Sequence, residues 1–522
     1  FDKDADLKEA ARQLRKLGEI SKIQSNPTLQ RAYDPKKKTL YLSASDLQHV
    51  TRTSEGLTFN DPGLKHQWHY RNAGNYDFVK KDRAEAIAGA DVNCGEAWEL
   101  CKGDPSIIVA VLDEGVMWSH PDLIANMWTN EAEEIGSTED KDGNGYKGDR
   151  YGYNFVKNTG VISWTSADDT GHGTHVAGTI AAENGNSIGV SGIAGGDGNT
   201  GSWGYNSPDA NEALGYVPGP KNEQDWENQY PLEKEALDYF IHNAGSPNGV
   251  IDGGLAIFAS GNEYAPSSSF PAGYSKCISV SAIAADYTPS SYTNYGAEIT
   301  LCAPGGDGDY YGTPGVADDE FAWEGKTQGL ILSTAIKNGQ YAYAYMEGTS
   351  MACPHVSGVA ALGLSYAVKQ RRHFKAEEFI ELMKITARDD FYQTYDEKVE
   401  KLYYYNHTTF GAPPTLMNLI ERKGKMGRLV DAGALLKAIG NHGSDMIVPN
   451  VYLATGKSTS IDLARYFIDG ESLSYSCTVA NENIATISVD KTILSINGIA
   501  DGSTTVTIQA GSKSQTITVT VR

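Results

Sequence analysis

At 522 residues, with 40% hydrophobic and 21% charged positions, the chain is globular rather than disordered and has room for two or three domains. A formal net charge of -22 excludes nucleic acid or an anionic membrane as the main partner and favours bound cations. No run approaches the ~18–20 consecutive apolar residues that cross a bilayer, so no transmembrane segment is expected.

The chain opens at Phe1 with neither an initiator Met nor an apolar signal segment, which reads as a removed targeting sequence or a fragment. Leu7, Ala10, Ala11, Leu14 and Leu17 recur at helical spacing, with Asp6 and Glu9 as a capping-box-like start and Gly18 as the stop. Glu19–Gln24 reads as a strand and Asn26–Asn60 as a polar stretch. A section this small makes a poor core alone and must dock on something larger. Asn93–Lys102 predicts a helix, along which Cys94 and Cys101 stand roughly 10 Å apart, beyond disulfide reach. Cys302 and Cys353 read as small core residues.

From about Phe59 to Gly440, the runs Ile107–Leu112, Leu255–Ala259, Cys277–Ala282 and Ile299–Ala303 are apolar on both faces. They alternate with helical patterns such as Met351–Ala367. This predicts an α/β domain, a parallel sheet covered by helices on both faces. After a polar linker at Gly440–Ser444, the chain turns rich in Ser and Thr. Alternation at Val506-Thr507-Ile508 and Ile517-Thr518-Val519-Thr520-Val521 predicts a C-terminal all-β sandwich. The expected domains are 1–56 (small, α+β), 57–440 and 445–522.

Four positions carry the chemistry. Asp113 ends the first apolar run, and the carboxyl ends of parallel strands are where sites form. His172 opens a helical pattern in Gly171-His172-Gly173-Thr174-His175-Val176-Ala177-Gly178. His172 and His175 are three apart, but no Glu at metalloprotease spacing accompanies them, which disfavours zinc. Asn262 closes the second apolar run. Ser350 lies in Gly348-Thr349-Ser350-Met351-Ala352-Cys353-Pro354-His355, where a Gly-Thr turn delivers a hydroxyl onto a helix start. A serine needs a neutral imidazole to take its proton, a carboxylate to fix that imidazole, and donors for the anion that forms.

Between Asp113 and His172, Asp140-Lys141-Asp142-Gly143-Asn144-Gly145 sets oxygen side chains at positions one, three and five of a calcium loop, with glycine at six. Tyr151 occupies position twelve, which excludes a full EF-hand, and Asp149 is placed to supply the missing carboxylate. The expected Ca2+ ligands are Asp140, Asp142, Asn144, Asp149 and the Tyr146 carbonyl. The alternative is a solvated acidic loop.

Asp113, His172, Asn262 and Ser350 in that order resemble the subtilisin-like serine proteases, or subtilases. Asn294-Tyr295-Gly296, Ala303-Pro304-Gly305 and Arg428-Leu429-Val430-Asp431-Ala432 support the resemblance, which spans roughly residues 59–440. It implies that Asp113 orients, His172 is general base and acid, and Ser350 attacks. Asn262 and the Ser350 N–H would hold the oxyanion. The implied activity is that of a serine endopeptidase on proteins or peptides, secreted or in the cell envelope.

The resemblance further implies that Ser202-Trp203-Gly204 is the strand edge that pairs with an extended substrate, with Ser269 near the floor of the main side-chain pocket. It makes residues 1–56 a propeptide, an intramolecular inhibitor cut between Ala44 and Asp61. One departure stands out. Subtilases carry a strand-helix-strand unit, roughly 30 residues or more, between Gly-Ile-Ala and Ser-x-Gly. Here Gly192-Ile193-Ala194 runs almost directly into Ser202, so the edge strand is expected to lack its body. Two readings compete: an inactive homologue acting as a binding protein, and an α/β-hydrolase esterase. The esterase needs Gly-x-Ser-x-Gly, and the Ser350 segment lacks the second Gly.

Overall fold

A computed structural model of the chain describes residues 39–48, 58–76, 86–164, 171–194, 200–201, 204–208, 217–245, 250–308, 329–370, 372–395, 400–403, 415–440, 448, 450–467 and 470–522, with a few isolated positions before residue 39. The expected helix at Leu7–Leu17 and strand at Glu19–Gln24 lie almost wholly outside these.

In chain order, the elements that build the site are β1 (Leu40–Leu42), α1 (Ala44–Gln48), α2 (Cys94–Leu100), β2 (Val111–Leu112), α3 (His172–Ala181), β3 (Thr200–Gly201), α4 (Glu223–Gln229) and α5 (Pro231–Asn243). They continue with β4 (Ile257–Ala259), β5 (Ile278–Ile283), β6 (Leu301–Pro304), β7 (Ile331–Lys337), β8 (Gln340–Met346), α6 (Thr349–Lys369), β9 (Arg428–Leu429) and α7 (Ala432–Gly440). A six-stranded sheet runs in the order β9-β6-β5-β4-β3-β2, and every neighbouring pair is parallel. Every residue of β4, β5 and β6 is buried, as expected of strands covered on both faces.

The run Ile107–Leu112 yields only two residues of strand. Its partner is β3, and Val111 and Leu112 pair with Thr200 and Gly201. Ile108 and Leu112 are 56% and 49% exposed.

Helix α6 lies against β4, β5 and β6 and touches α3 and α7. Thr349 through Ala367 are all buried. Among the described residues it is the helix long and apolar enough to span a bilayer, and 94% of that apolar window is packed inside the protein. Cys94, Cys101, Cys302 and Cys353 are all buried.

β7 and β8 form an antiparallel hairpin, and β1 adds to it as a third strand through Leu40–Tyr345 to Leu42–Tyr343. Leu42 and Leu47 are buried with Ala182, Val190, Leu332, Tyr343 and Tyr345. The polar stretch Asn26–Asn60 therefore contains an element built into the body. Its apolar anchors are single leucines spaced too sparsely to mark a strand.

In the last section, Val451–Leu453, Lys513–Val521, Gly502–Ala510 and Tyr475–Val479 form one sheet, and Ser458–Asp462, Ile493–Gly498 and Ala485–Asp490 another. Leu494, Ile496, Val506, Ile508, Ile517 and Val519 point into a shared core, while Thr507, Thr516 and Thr518 do not. The two-residue period of the strand places them so.

Candidate active site

The carboxyl ends of the parallel strands converge on one crevice edge. Asp113 follows β2 directly and Asn262 lies three residues past the end of β4, so two parallel strands on either side of β3 deliver both from the same end of the sheet.

His172 is the first residue of α3. Its Nδ1 lies 2.8 Å and 3.0 Å from the two Asp113 oxygens, and both side chains are mostly buried. Because a carboxylate only accepts, Nδ1 carries the proton, which leaves Nε2 as the basic nitrogen. The Asp113 carboxylate also accepts the Glu114 N–H at 2.8 Å, and Glu114 Oε1 accepts the His172 backbone N–H at 2.9 Å. The two acidic neighbours thus fix both ends of the imidazole's attachment. Gly173 permits this approach, since a Cβ there would lie 2.3 Å from the Gly115 carbonyl oxygen and 3.0 Å from Asp113 Cβ.

His175 has a different task. Its Nε2 meets the carbonyls of Ile331 and Ala344 at 3.1 and 3.0 Å, joining α3 to the β7–β8 hairpin. Burial pushes its pKa down to about 3. It is a structural histidine, neutral and buried, not a metal ligand beside His172.

Ser350 is the second residue of α6 and 8% exposed. Gly348 caps the helix with φ 148°, a conformation that suits glycine. The preceding Thr349 gives its backbone N–H (2.8 Å) and its hydroxyl (2.9 Å) to Asn262 Oδ1. That pairing fixes which way the amide faces and turns Nδ2 away from Thr349. A Cβ on Gly348 would lie 3.5 Å from the Ser350 nitrogen and 3.7 Å from Asn262 Nδ2. Both nitrogens therefore border the space that the missing side chain leaves at Gly348. An oxyanion at this helix start would also meet the positive end of the helix dipole.

The Asn262 loop is held from behind by Asn294, from the Asn294-Tyr295-Gly296 segment. Asn294 Oδ1 accepts the N–H groups of Glu263 (3.0 Å) and Ala265 (2.9 Å), and its Nδ2 donates to the Ser260 carbonyl and to buried Glu263. Ser269 belongs to this cluster, 4% exposed with Oγ 3.4 Å from Asn294 Nδ2. Gly204 lies beside it. Its Cβ position is 3.0 Å from the Phe270 carbonyl and 3.7 Å from Ser269 Cβ, and the next residue, Tyr205, donates its N–H to Phe270 at 2.7 Å. Ser202 and Trp203 fall outside the described residues.

In the acidic loop, Glu133, Asp140 and Asp142 each bring a carboxylate oxygen within 4.8 Å of the others. Asn130 Nδ2 and Asn144 Nδ2 each bridge Asp142 and Asp149 at 2.9–3.1 Å. Asp142 is held below the usual carboxylate range, first by the Asn130 amide and then by the Asn144 N–H. Tyr146 takes part through its N–H, which donates to Asn144 Oδ1. Asp140 accepts the N–H groups of Gly143 and Gly145. Fully buried Glu133 accepts from the N–H groups of Lys141 and Gly148 and is the organiser that loop spacing missed, seven residues upstream. The set fits a hard cation: the Glu133, Asp140 and Asp142 carboxylates converge, and turning either amide by half a rotation presents its oxygen instead.

A family model for the subtilase family matches residues 104–197 and 201–403, more than half of the chain. Halolysin of Haloferax mediterranei is 32% identical over 289 residues, covering 53% of this chain and 45% of that protein. The major intracellular serine protease of Bacillus subtilis is 30% identical over 327 residues, covering 58% of this chain and 83% of that protein. The crystal structure of a serine protease of Aeromonas sobria is similar with a TM-score of 0.49 and 17% identity, over 88% of this chain and 93% of that one. The chain spans about half the length, 44–53%, of the first curated relatives it matches.

Proposed function

The chain belongs to the subtilase family, and from that premise we propose that it is a serine endopeptidase that cleaves peptide bonds in proteins through an acyl-enzyme. The observation that carries the reading is the Asp113–His172 Nδ1 pairing, set at the same end of the sheet as Asn262 and the Ser350 helix start. His172 Nε2 takes the proton of Ser350 Oγ as that oxygen attacks the scissile carbonyl carbon. The carbonyl π electrons move to oxygen, and the anion is met by the Ser350 N–H and Asn262 Nδ2. His172 returns the proton to the leaving amine as the C–N bond breaks. A water, deprotonated by His172, then releases the acid and restores Ser350. The pairing favours this over an inactive binding homologue, which would not need Nδ1 protonated against a buried carboxylate.

We assign the substrate edge to Gly204 and the segment around Ser202 and Trp203, with Ser269 beneath it. Backbone pairing there reads the chain more than its side chains, so specificity is broad. Glu133, Asp140 and Asp142, with Asp149 and Asn144 beside them, would hold Ca2+, which supplies charge neutralisation and loop rigidity. Relatives named as extracellular proteases support secretion.

The section before residue 57 is assigned as an inhibitory propeptide. Gln24 Oε1 accepts the N–H groups of Leu232 (3.0 Å) and Glu233 (3.4 Å) in the first turn of α5, and Lys22 pairs with Glu235. These contacts bring Lys22 and Gln24 onto α5, which supports the zymogen reading.

The test is turnover of a dye-labelled denatured protein by the full chain, followed through incubation with calcium and any N-terminal processing. Activity that appears on processing and is lost in Ser350→Ala is expected. Equal activity in Ser350→Ala, or none at any stage of processing, contradicts the reading.

A further inference from the structure

Helix α6 contains Pro354, which has no N–H to give to the turn that carries Ser350. A nucleophile must be held to within a fraction of an ångström, so the start of this helix needs support from outside its own ladder. Part of it comes from Asn262 on Thr349. The other part comes from His355, one turn along.

His355 is fully buried, and its Nδ1 lies 2.7 Å from the carbonyl oxygen of Met351, the residue after Ser350. Its Nε2 lies 2.7 Å from Nδ1 of His69, which is also fully buried. The rings meet edge to face at 4.7 Å between centroids, walled by Tyr70 and Trp68. A carbonyl only accepts, so the His355 proton is on Nδ1 and its Nε2 is a lone pair. His69 must then donate through Nδ1–H, which leaves its own Nε2 bare. The Leu332 carbonyl also stands close to the His69 ring, but Nε2 makes no hydrogen bond of good geometry, and a bare lone pair is less costly to bury than a bare N–H. Burial also keeps both rings neutral, His355 being pushed down to about 4. Every proton in the chain points the same way, from His69 through His355 to the Met351 carbonyl.

We infer that His69 is a positioning residue for catalysis: through His355 it fixes the helix turn that presents Ser350, and so ties the segment just after the proposed propeptide to the competence of the nucleophile. The inference rests on the serine-hydrolase reading above. His69 has no contact with the reacting groups. Its effect passes through hydrogen-bond direction rather than bulk, so a ring of the same shape without a donor must fail where a smaller donor succeeds. Asn places an amide N–H near the Nδ1 position and keeps the donor; Phe keeps the ring and removes it.

The experiment measures the rate of Ser350 labelling by a fluorophosphonate, and kcat and KM on a peptide substrate, for the calcium-loaded chain after N-terminal processing and for its His69→Phe and His69→Asn variants processed alike. The expected result is that His69→Phe lowers the labelling rate and kcat about tenfold with KM nearly unchanged, and that His69→Asn recovers to within about threefold of the parent. Parent labelling with both variants at its rate overturns the inference alone. Equal losses in the two variants, in step with their melting temperatures, overturn it as well, because a purely structural role ignores the donor. A parent chain that does not label overturns the hydrolase reading, and this inference with it.

Discussion

Thr349 gives both its backbone N–H and its hydroxyl to Asn262 Oδ1, at 2.8 and 2.9 Å. The residue before the proposed nucleophile thereby sets the facing of the proposed oxyanion donor, and one turn of chain aligns two parts of the site. Thr349→Val keeps the N–H bond and the shape but loses the hydroxyl. We expect kcat to fall about 3–10-fold with KM little changed, the worth of one neutral hydrogen bond. Asn262→Ala is expected to cost about 10²–10³ in kcat, the loss carried over from the family. Steady-state kinetics of the two variants check both values.

Gly173→Ala drives a methyl group into the Gly115 carbonyl and against Asp113. The backbone must shift by a fraction of an ångström and carry His172 away from its carboxylate. A loss of about 1–3 kcal/mol in stability is expected, with kcat down by about 10² because misplacement is felt most at the reacting atoms. Denaturant melts and kinetics on the same preparation separate the two effects. Unchanged kcat would show that the approach of α3 does not position the imidazole.

Much of this site was legible because each part sits in a short local segment. Gly171–Gly178 and Gly348–His355 each place a polar residue at a helix start, and periodicity alone marks both helices. The apolar runs of β4, β5 and β6 foretold their parallel pairing. What stayed hidden was non-local. The β1–β8 pairing joins residues some 300 positions apart (Leu40 with Tyr345) through two buried leucines, a pattern too sparse to read. Glu133 precedes its loop, so spacing within the loop gave no hint of it. The His69–His355 bond needs two histidines far apart in sequence to meet in the core, and neither looks exceptional in its own segment.

Calcium binding at the acidic loop is checked by melting the protein with and without a chelator. Removal of the ion is expected to lower the melting temperature, since a ligand at 100 times its Kd stabilises by about 2.7 kcal/mol. Asp142→Asn should remove most of the calcium-dependent shift. Glu133→Gln should lower the melting temperature even in chelator, because Glu133 accepts N–H groups of the loop directly. Identical melting curves with and without calcium argue for a solvated loop.

His175 supplies a pH test. Its folded pKa of about 3 is below the ordinary value of 6.5, so the unfolded chain binds this proton first. Its contribution to stability is complete above pH 6.5 and is lost as the pH falls towards 3, at up to about 1.4 kcal/mol per pH unit. His175→Gln keeps a donor for the Ile331 and Ala344 carbonyls but does not titrate. The stability gap between parent and variant should therefore narrow on acidification from pH 6.5 to 5. A gap constant across that range would mean that His175 titrates alike in the folded and unfolded chains.

The central claim is that Ser350 is a nucleophile activated by His172. Its most direct test is labelling of the calcium-loaded chain, freed of the section before residue 57, by a fluorophosphonate, read by intact mass and peptide mapping. One adduct per chain is expected, on Ser350, formed far more slowly in His172→Ala and absent in Ser350→Ala. No adduct in the parent chain, or an adduct carried on another residue, contradicts it.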